Sequence, residues 1–328
     1  MIFVVKFAIF SIEIEEEGGF VKVDWVPLSH CPACGSDARK ALVFVQKSQL
    51  FECRNCQLRY LDPCLSADDM AAAYESSESL IKFHDFHADY YNYGDTERPS
   101  VTRKEFLKGL DLVESVLPDR MPRSILDVGY GNGFFLALAR RRGWEIRGMD
   151  TSQTNCALSR KKFNLQLETG DFIKDIPDGP FFDVVSFWDV LEHFHHPSQL
   201  IQKARKTLRP GGVVLAAVPN DRSFLRFLAE WLYAVSFGKI RTGIDRLYLL
   251  EHTAYYSIRS FRILFERNGF KLSGYFFGTT DLAKYTMPKF QKTIAGFILA
   301  VGVLLRLQNR LIAVFKPDEK DTSSTNLY

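Results

Sequence analysis

No stretch of this 328-residue chain approaches the ~18 consecutive apolar residues that a spanning helix requires. A transmembrane segment is therefore not expected. Charge of one sign is nearly absent too: 42 Lys and Arg against 39 Asp and Glu leave a net +3, and no basic stripe appears. The bulk charge is therefore uninformative about partners, and the missing basic stripe argues against a nucleic-acid partner. Cysteine is too scarce, at six residues, for a secreted disulfide scaffold. The apolar start, residues 1–10, lacks a basic lead and runs into Ile12-Glu-Ile-Glu-Glu-Glu17 rather than a small-residue cleavage site, which argues against a signal peptide. Alternation at 12–15 suits an edge strand; a start assigned upstream of the true one is the other reading. Internal repeats and low-complexity tracts are missing. What remains is an ordinary globular composition, 46% hydrophobic and 25% charged, long enough for one large or two small cores and expected in the cytoplasm.

One further absence is informative. Asp127-Val-Gly129-Tyr130-Gly131-Asn-Gly133-Phe134 reads G-x-G-x-G, and Phe134 stands where a dinucleotide fingerprint needs its third glycine. The surrounding pattern is a buried strand at 125–128 and an apolar-striped helix from 134. Glycines in the turn let the backbone approach a ligand closely, and the helix start offers free N–H groups to a negative group. Dinucleotides and S-adenosylmethionine (SAM) both use this geometry, and a Rossmann-like sheet with another ligand is the third reading. The next segments favour SAM. A second strand ends at Asp150, where a carboxylate can accept ribose hydroxyls. A third ends at Gly170-Asp171-Phe172, with an acid suited to an adenine amino group. Phe182-Asp183-Val-Val-Ser-Phe-Trp188-Asp189 is a fourth strand, followed by Val190-Leu-Glu192-His193. Then come a helix at 198–208, the turn Arg209-Pro-Gly-Gly212 and a fifth strand at 213–218. A helix at 258–268, a sixth strand at 270–277 and a final strand at 311–317 complete the pattern.

This ordered set closely resembles the class I SAM-dependent methyltransferases over residues 123–280. The resemblance implies an α/β fold, a Rossmann-like seven-stranded sheet whose last strand is antiparallel. It assigns SAM binding to Asp127, Gly129, Tyr130, Gly131, Gly133, Asp150, Thr151, Asp171, Phe172 and Asp189. Tyr130 departs from the family, which commonly has a small residue there; a ring at that place could line the methionine end of SAM or close part of the acceptor pocket. His252 resembles a histidine at the pocket rim and, with His193, is the candidate catalytic residue, because an imidazole can act as general base near neutrality. Asp189-x-x-Glu192-His193 resembles the metal cluster of quinone-biosynthesis O-methyltransferases. The same letters occur in metal-free relatives as a loop beside the methyl donor, and both readings stay open.

Ahead of the core, Cys31-Pro-Ala-Cys34 and Cys53-Arg-Asn-Cys56 form two C-x-x-C knuckles around a predicted hairpin. Each knuckle aims two thiolates at one centre, so the pair predicts a zinc ribbon with a structural Zn²⁺ on Cys31, Cys34, Cys53 and Cys56. A redox C-x-x-C is the alternative. His30 adjoins the site; Cys64 and Cys156 fall outside it. A ribbon this small has almost no core of its own, so metal should supply much of its folding free energy.

The expected organisation is an N-terminal extension (1–27), the ribbon (28–65), a helical lid or linker (66–118), the methyltransferase core (119–317, with a helical excursion at 281–308) and a flexible tail (318–328). Within the lid, 83–93 crowds His84, Asp85, His87 and Asp89 among aromatics, which suits water exclusion better than a rigid metal site. The apolar segment 223–237 either covers the acceptor mouth or packs in the core. The apolar excursion, flanked by Lys289, Lys292, Arg306 and Arg310, could lie on a membrane surface through 289–310 or meet a second subunit, and internal packing is the plain alternative. Knuckles joined to such a core resemble bacterial methyltransferases of sugar and cell-surface polysaccharide biosynthesis, implying a small-molecule or sugar acceptor. RNA methylation and a non-catalytic SAM-binding assembly subunit are the competing readings.

Overall fold

The computed structural model describes residues 11–14, 21–75, 100–119, 122–285 and 287–318. The stretch 83–93, with His84, Asp85, His87 and Asp89, and the tail beyond 318 lie outside the described residues.

Strand β1 (Ser11–Ile14) pairs antiparallel with β2 (Val21–Val26). The knuckles flank a hairpin of β3 (Arg39–Val45) and β4 (Ser48–Cys53), to which β5 (Arg59–Asp62) adds a third antiparallel strand. Strand β6 (Cys64–Leu65) returns to β2. Helix α1 (Ala67–Ala73) starts where the Ser66 hydroxyl accepts the Asp69 N–H, satisfying one of the open donors of the first turn.

Helix α2 (Val101–Glu114) buries Phe106, Leu110 and Val113 on one stripe and leads into β7 (Ser124–Val128), which is buried at every residue. Such a run suits a parallel strand covered on both faces. Helix α3 (Phe134–Arg141), β8 (Glu145–Asp150), α4 (Gln153–Phe163), the short β9 (Glu168–Thr169) and the one-turn α5 (Phe172–Asp175) complete the first half. The chain then crosses back to β10 (Phe182–Trp188) beside β7, makes a single 3₁₀ turn (Leu191–His193), and continues through α6 (Pro197–Thr207) to β11 (Leu208–Pro219). Proline at the first turn of α6 is tolerated because its missing N–H would have no helical partner there. Helices α7 (Phe224–Val235) and α8 (Thr242–Leu247) precede the two-residue β12 (Ala254–Tyr255). Helix α9 (Ile258–Arg267), opened by a Ser257–Ser260 capping box, leads to β13 (Phe270–Gly278). A 3₁₀ turn (Leu282–Lys284), α10 (Lys289–Leu304) and β14 (Arg310–Pro317) end the described chain.

The main sheet has seven strands in the order β13-β14-β11-β10-β7-β8-β9. Pairings are parallel except those of β14, which runs antiparallel to both β11 and β13. Strand order reverses between β7 and β10, so their C-terminal ends frame the crevice where open α/β sheets bind ligands. This is the α/β, Rossmann-like sheet the motif order implies.

The knuckles and the core are more closely joined than their sequence suggests. Strand β12 extends the ribbon sheet: Ala254 sits opposite Tyr60 and Tyr255 opposite Arg59, and the Leu61 N–H donates to the Thr253 carbonyl at 3.0 Å. Cys31, Cys53, Cys56 and Tyr60 share one buried cluster with Tyr256 and Phe261. The ribbon does not lack a core; it borrows that of the larger sheet. Arg59 adds a polar clasp, donating to Glu230 at 2.5 Å and to the Tyr248 hydroxyl at 2.8 Å.

Candidate active site

The glycine turn after β7 lies against the loop that follows β10. Gly129 has φ +69°, and a Cβ there would come within 2.7 Å of the Val190 side chain. Gly133 has φ +81°, and its Cβ would meet Ser159 at 2.9 Å. Both positions therefore demand glycine by conformation and by space. Gly131 turns its N–H to the Asp150 carboxylate at 2.9 Å, which ties the turn to the end of β8.

Asp150 is more committed to protein than the sequence suggests. Its oxygens also accept the Ser152 N–H at 2.9 Å and the Asn155 side-chain amide at 3.2 Å. A carboxylate has about four lone-pair directions, so roughly one is left for a ribose hydroxyl. Burial raises its pKa, against the pull of those three donors. Thr151, beside it, is exposed. Asp127 is buried beneath the turn; its Oδ1 accepts the Ser186 hydroxyl at 2.6 Å, and burial pushes its pKa up to about 8. Asp171 caps α5 by accepting the Ile173 N–H at 2.8 Å, and its side chain keeps partial exposure. Phe172 packs inward, edge-on to Phe187 with centroids 6.0 Å apart. Tyr130 also turns inward: a Cβ on Gly148 of β8 would lie 2.7 Å from its ring. It is buried beside the turn.

A second group forms at the end of β10. Glu192, His193 and His252 bring ligand atoms within 4.8 Å of one another. Glu192 has no solvent exposure, and neither carboxylate oxygen has a hydrogen-bond partner among the described residues. Burial, then repulsion from Asp189, pushes its pKa well above the usual carboxylate range. His193 lies 2.7 Å through Nδ1 from the Glu251 carbonyl. A carbonyl can only accept, so Nδ1 carries the proton, and in the neutral ring Nε2 keeps its lone pair. Burial, the largest influence, holds His193 below its ordinary pKa, favouring that neutral ring. The His193 and His252 rings meet edge to face with centroids 4.7 Å apart. Tyr74, at the end of α1, packs on the other side of His193 at 4.8 Å, and the Glu75 carbonyl accepts the Ser152 hydroxyl at 3.2 Å. Tyr74 and Glu75 thus touch both halves of the crevice.

Asp189, which the metal reading grouped with Glu192 and His193, is not among the three converging donors, although it lies near enough to raise the Glu192 pKa. Its backbone is left-handed, φ +56°, and its carboxylate accepts from Arg310 at 2.9 Å. Arg310 also donates to buried Glu105 at 2.6 Å, beside a cavity of about 30 Å³ that Lys284 helps to line. His252 supplies the third donor instead. Glu105 carried no sequence signal and Arg310 was read only as a cation flanking the apolar excursion, because they come from α2 and β14 and meet only across the finished sheet.

The four knuckle thiols converge as their spacing predicts. Cys31 and Cys56 sulfurs are 3.5 Å apart, Cys34 and Cys53 are 3.4 Å apart, and all four lie within 4.8 Å of one another. These separations are far beyond a disulfide bond of ~2.05 Å. They approach the ~3.8 Å edges of a tetrahedron with Zn–S arms of ~2.3 Å. The donor set fits a thiolate-bound metal.

The methyltransferase-domain family matches residues 102–273, just over half the chain. The chain belongs to that family. The matched span runs from α2 into β13, and so contains the glycine turn, Asp150, Glu192 and His252. Among curated relatives, the ubiquinone biosynthesis O-methyltransferase of Alkalilimnicola ehrlichii is 31% identical over 125 residues, 35% of this chain and 50% of that one. The protein of the same name from Paramagnetospirillum magneticum is 28% identical over 142 residues, 42% of this chain and 55% of that one. The chain thus spans about half the length of these relatives. A SAM-dependent methyltransferase of Archaeoglobus fulgidus is similar in structure, with a TM-score of 0.43 and 20% identity, covering 66% of this chain and 98% of that one.

Gly129 and Gly133 leave the turn no room for a Cβ against Val190 and Ser159, and Asp150 ties the turn to the end of β8; this close-packed glycine turn with a strand-end acid fits SAM. Replacing Asp150 by Ala is expected to weaken SAM binding more than tenfold, about 1.5–3 kcal/mol, through lost hydrogen bonds to ligand and turn. Calorimetric titration checks this, and unchanged affinity would remove Asp150 from the site.

Proposed function

We propose that the protein transfers the methyl group of SAM to a hydroxyl of a small-molecule acceptor, and that Glu192, His193 and His252 manage the hydroxyl proton or hold a divalent cation beside it. The observation that carries this reading is the buried Glu192 carboxylate, without a hydrogen-bond partner among the described residues, next to two imidazoles at the sheet's switch point. A buried carboxylate without a partner costs several kcal/mol unless it takes a proton or faces a cation. The Nδ1–H of His193 is fixed on a backbone carbonyl, the arrangement that leaves Nε2 available to a metal or a proton. Two neutral imidazoles and one carboxylate suit Zn²⁺, Mn²⁺ or a similar divalent ion.

SAM supplies an activated methyl on a sulfonium when bound. The chain's tasks are then positioning and exclusion of water. The glycine turn and Asp150 hold the nucleoside side, assisted by Thr151, Asp171 and the neighbouring Phe172. Asp127 and Tyr130 support the turn from below. Asp189, anchored on Arg310, fixes the loop on which Glu192 and His193 stand. Tyr74 and Glu75 begin the cover, and we assign residues 66–118 to lid and linker. Proton removal from the acceptor falls to His252 or His193, each of whose imidazoles can accept near neutrality.

The relatives' names favour oxygen as the accepting atom. A sugar hydroxyl, implied by the joined ribbon and core, and a phenolic hydroxyl share that chemistry. We assign residues 28–65 to a ribbon holding structural Zn²⁺ on Cys31, Cys34, Cys53 and Cys56. The test is a panel of catechols and sugar nucleotides assayed with SAM before and after chelation. Transfer to a hydroxyl, abolished by Glu192→Gln, is the expected result. Transfer only to RNA bases, or SAM binding without transfer to any cellular fraction, would contradict it.

A further inference from the structure

Helices α7 and α10 pack on each other: Gly302 of α10 lies against Phe224, and the Phe224 N–H donates to the Leu307 carbonyl at 2.9 Å. Both carry apolar side chains outward. On α7, Phe227, Trp231 and Val235 recur at four-residue steps and are each at least half exposed. On α10, Phe290, Ile294, Phe297 and Leu304 follow helical spacing, with Phe290 72%, Phe297 71% and Leu304 81% exposed. Phe237, in the turn after α7, is 95% exposed. Helix α10 buries only Leu299 and Gly302 and is apolar nearly all round, a composition that water does not favour on an outer face.

The charges around this surface have one sign. Between residues 282 and 310 every charged side chain is a cation: Lys284, Lys289, Lys292, Arg306 and Arg310. Lys284 and Arg310 are turned into the cavity beside Asp189, leaving Lys289, Lys292 and Arg306 around α10. Lys239 follows α7, whose single acid, Glu230, is tied to Arg59 and Tyr248. At 16 residues, α10 is about 24 Å long, short of the ~30 Å of a hydrocarbon core. No described helix is long and apolar enough to cross a membrane. A second copy docked on this face by two-fold symmetry would bring cations against cations.

We infer that α7 and α10 together form an interfacial docking surface for a bilayer carrying anionic lipids. The apolar stripes enter the headgroup boundary, and Lys289, Lys292, Arg306 and Lys239 meet the phosphates. Trp231 is suited to that boundary because its ring is apolar and its N–H remains polar. The inference holds for any acceptor and is independent of the proposed reaction.

The test is sedimentation of the full chain with phosphatidylcholine vesicles, with and without phosphatidylglycerol, at low and high salt. Binding is expected with the anionic vesicles and should weaken several-fold as salt screens the cations. The Phe290→Glu/Phe297→Glu protein should lose binding about tenfold while retaining SAM affinity and melting temperature, since both side chains already face water. Equal binding to neutral vesicles, or none to either, would overturn the inference. So would a concentration-dependent dimer in ultracentrifugation that the same two substitutions abolish.

Discussion

Glu192→Gln is expected to lower the turnover of methyl transfer about a hundredfold to ten-thousandfold, the range spanned by general acid–base groups, while SAM affinity changes little. The separation follows from position. Glu192 stands at the end of β10 with His193 and His252, whereas the nucleoside side is built on β7 and β8. The stability effect should have the opposite sign. Wild type buries a carboxyl with no hydrogen-bond partner among the described residues, close enough to the Asp189 carboxylate to be repelled by it. A neutral amide of the same shape removes that repulsion and part of the desolvation cost, so the variant should melt at or above the wild-type temperature. A residue that costs stability and supplies turnover is what a site produces. Kinetics with a melting curve decides it. Retained activity with a lowered melting point would make Glu192 a packing residue. His252→Ala should lose turnover similarly, with the two effects less than additive because the groups touch.

The second large effect concerns the knuckles. Cys31→Ser/Cys53→Ser is expected to take bound zinc from about one per chain to none, and to lower the melting temperature by about 10 °C or more, because metal binding is folding free energy in such sites. Activity should fall with it. Strand β5 holds β12, which directly follows His252, and the Thr253 hydroxyl donates to the His193 carbonyl at 3.2 Å. The His195 imidazole adds a contact at 2.8 Å to the Leu65 carbonyl. Losing the metal therefore loosens the frame of both imidazoles most directly, because the hydrogen bonds from ribbon to site run through Thr253 and His195. Turnover should collapse well before SAM affinity does. Cys156→Ser is the control, since that thiol sits on α4 against the Leu167 carbonyl. Elemental analysis, melting and SAM titration on the three proteins check the sequence of effects. Equal metal content in all three would remove the ribbon assignment.

These expectations show what local pattern could and could not reveal. Glycine turn, strand-end acids and paired knuckles are short-range signals: each needs a residue type at a fixed offset, and each lay where the spacing put it. The order of segments carried the sheet because parallel crossovers leave few topologies. Three features needed contacts between distant parts of the chain. Asp189 was read with Glu192 and His193 from adjacency and from the resemblance to a metal cluster, but Arg310 takes up its carboxylate and His252 supplies the third converging donor. His252 and His193 were each singled out, yet nothing in their neighbourhoods indicated that their rings touch. The pairing of β12 with β5 involves two residues, too few to show any periodicity, and it joins ribbon to site. Tyr130 illustrates the remaining difficulty: its ring fits beneath the turn only because Gly148 opens space on the neighbouring strand.

Methyl transfer from isotopically labelled SAM into an extract of source cells lacking the protein tests the central claim most directly. Wild-type protein should place label in a small-molecule pool, water-soluble or lipid, on an oxygen, and Glu192→Gln should place almost none there while still binding SAM. Label in RNA from wild type, or equal labelling by the two proteins, would contradict the account.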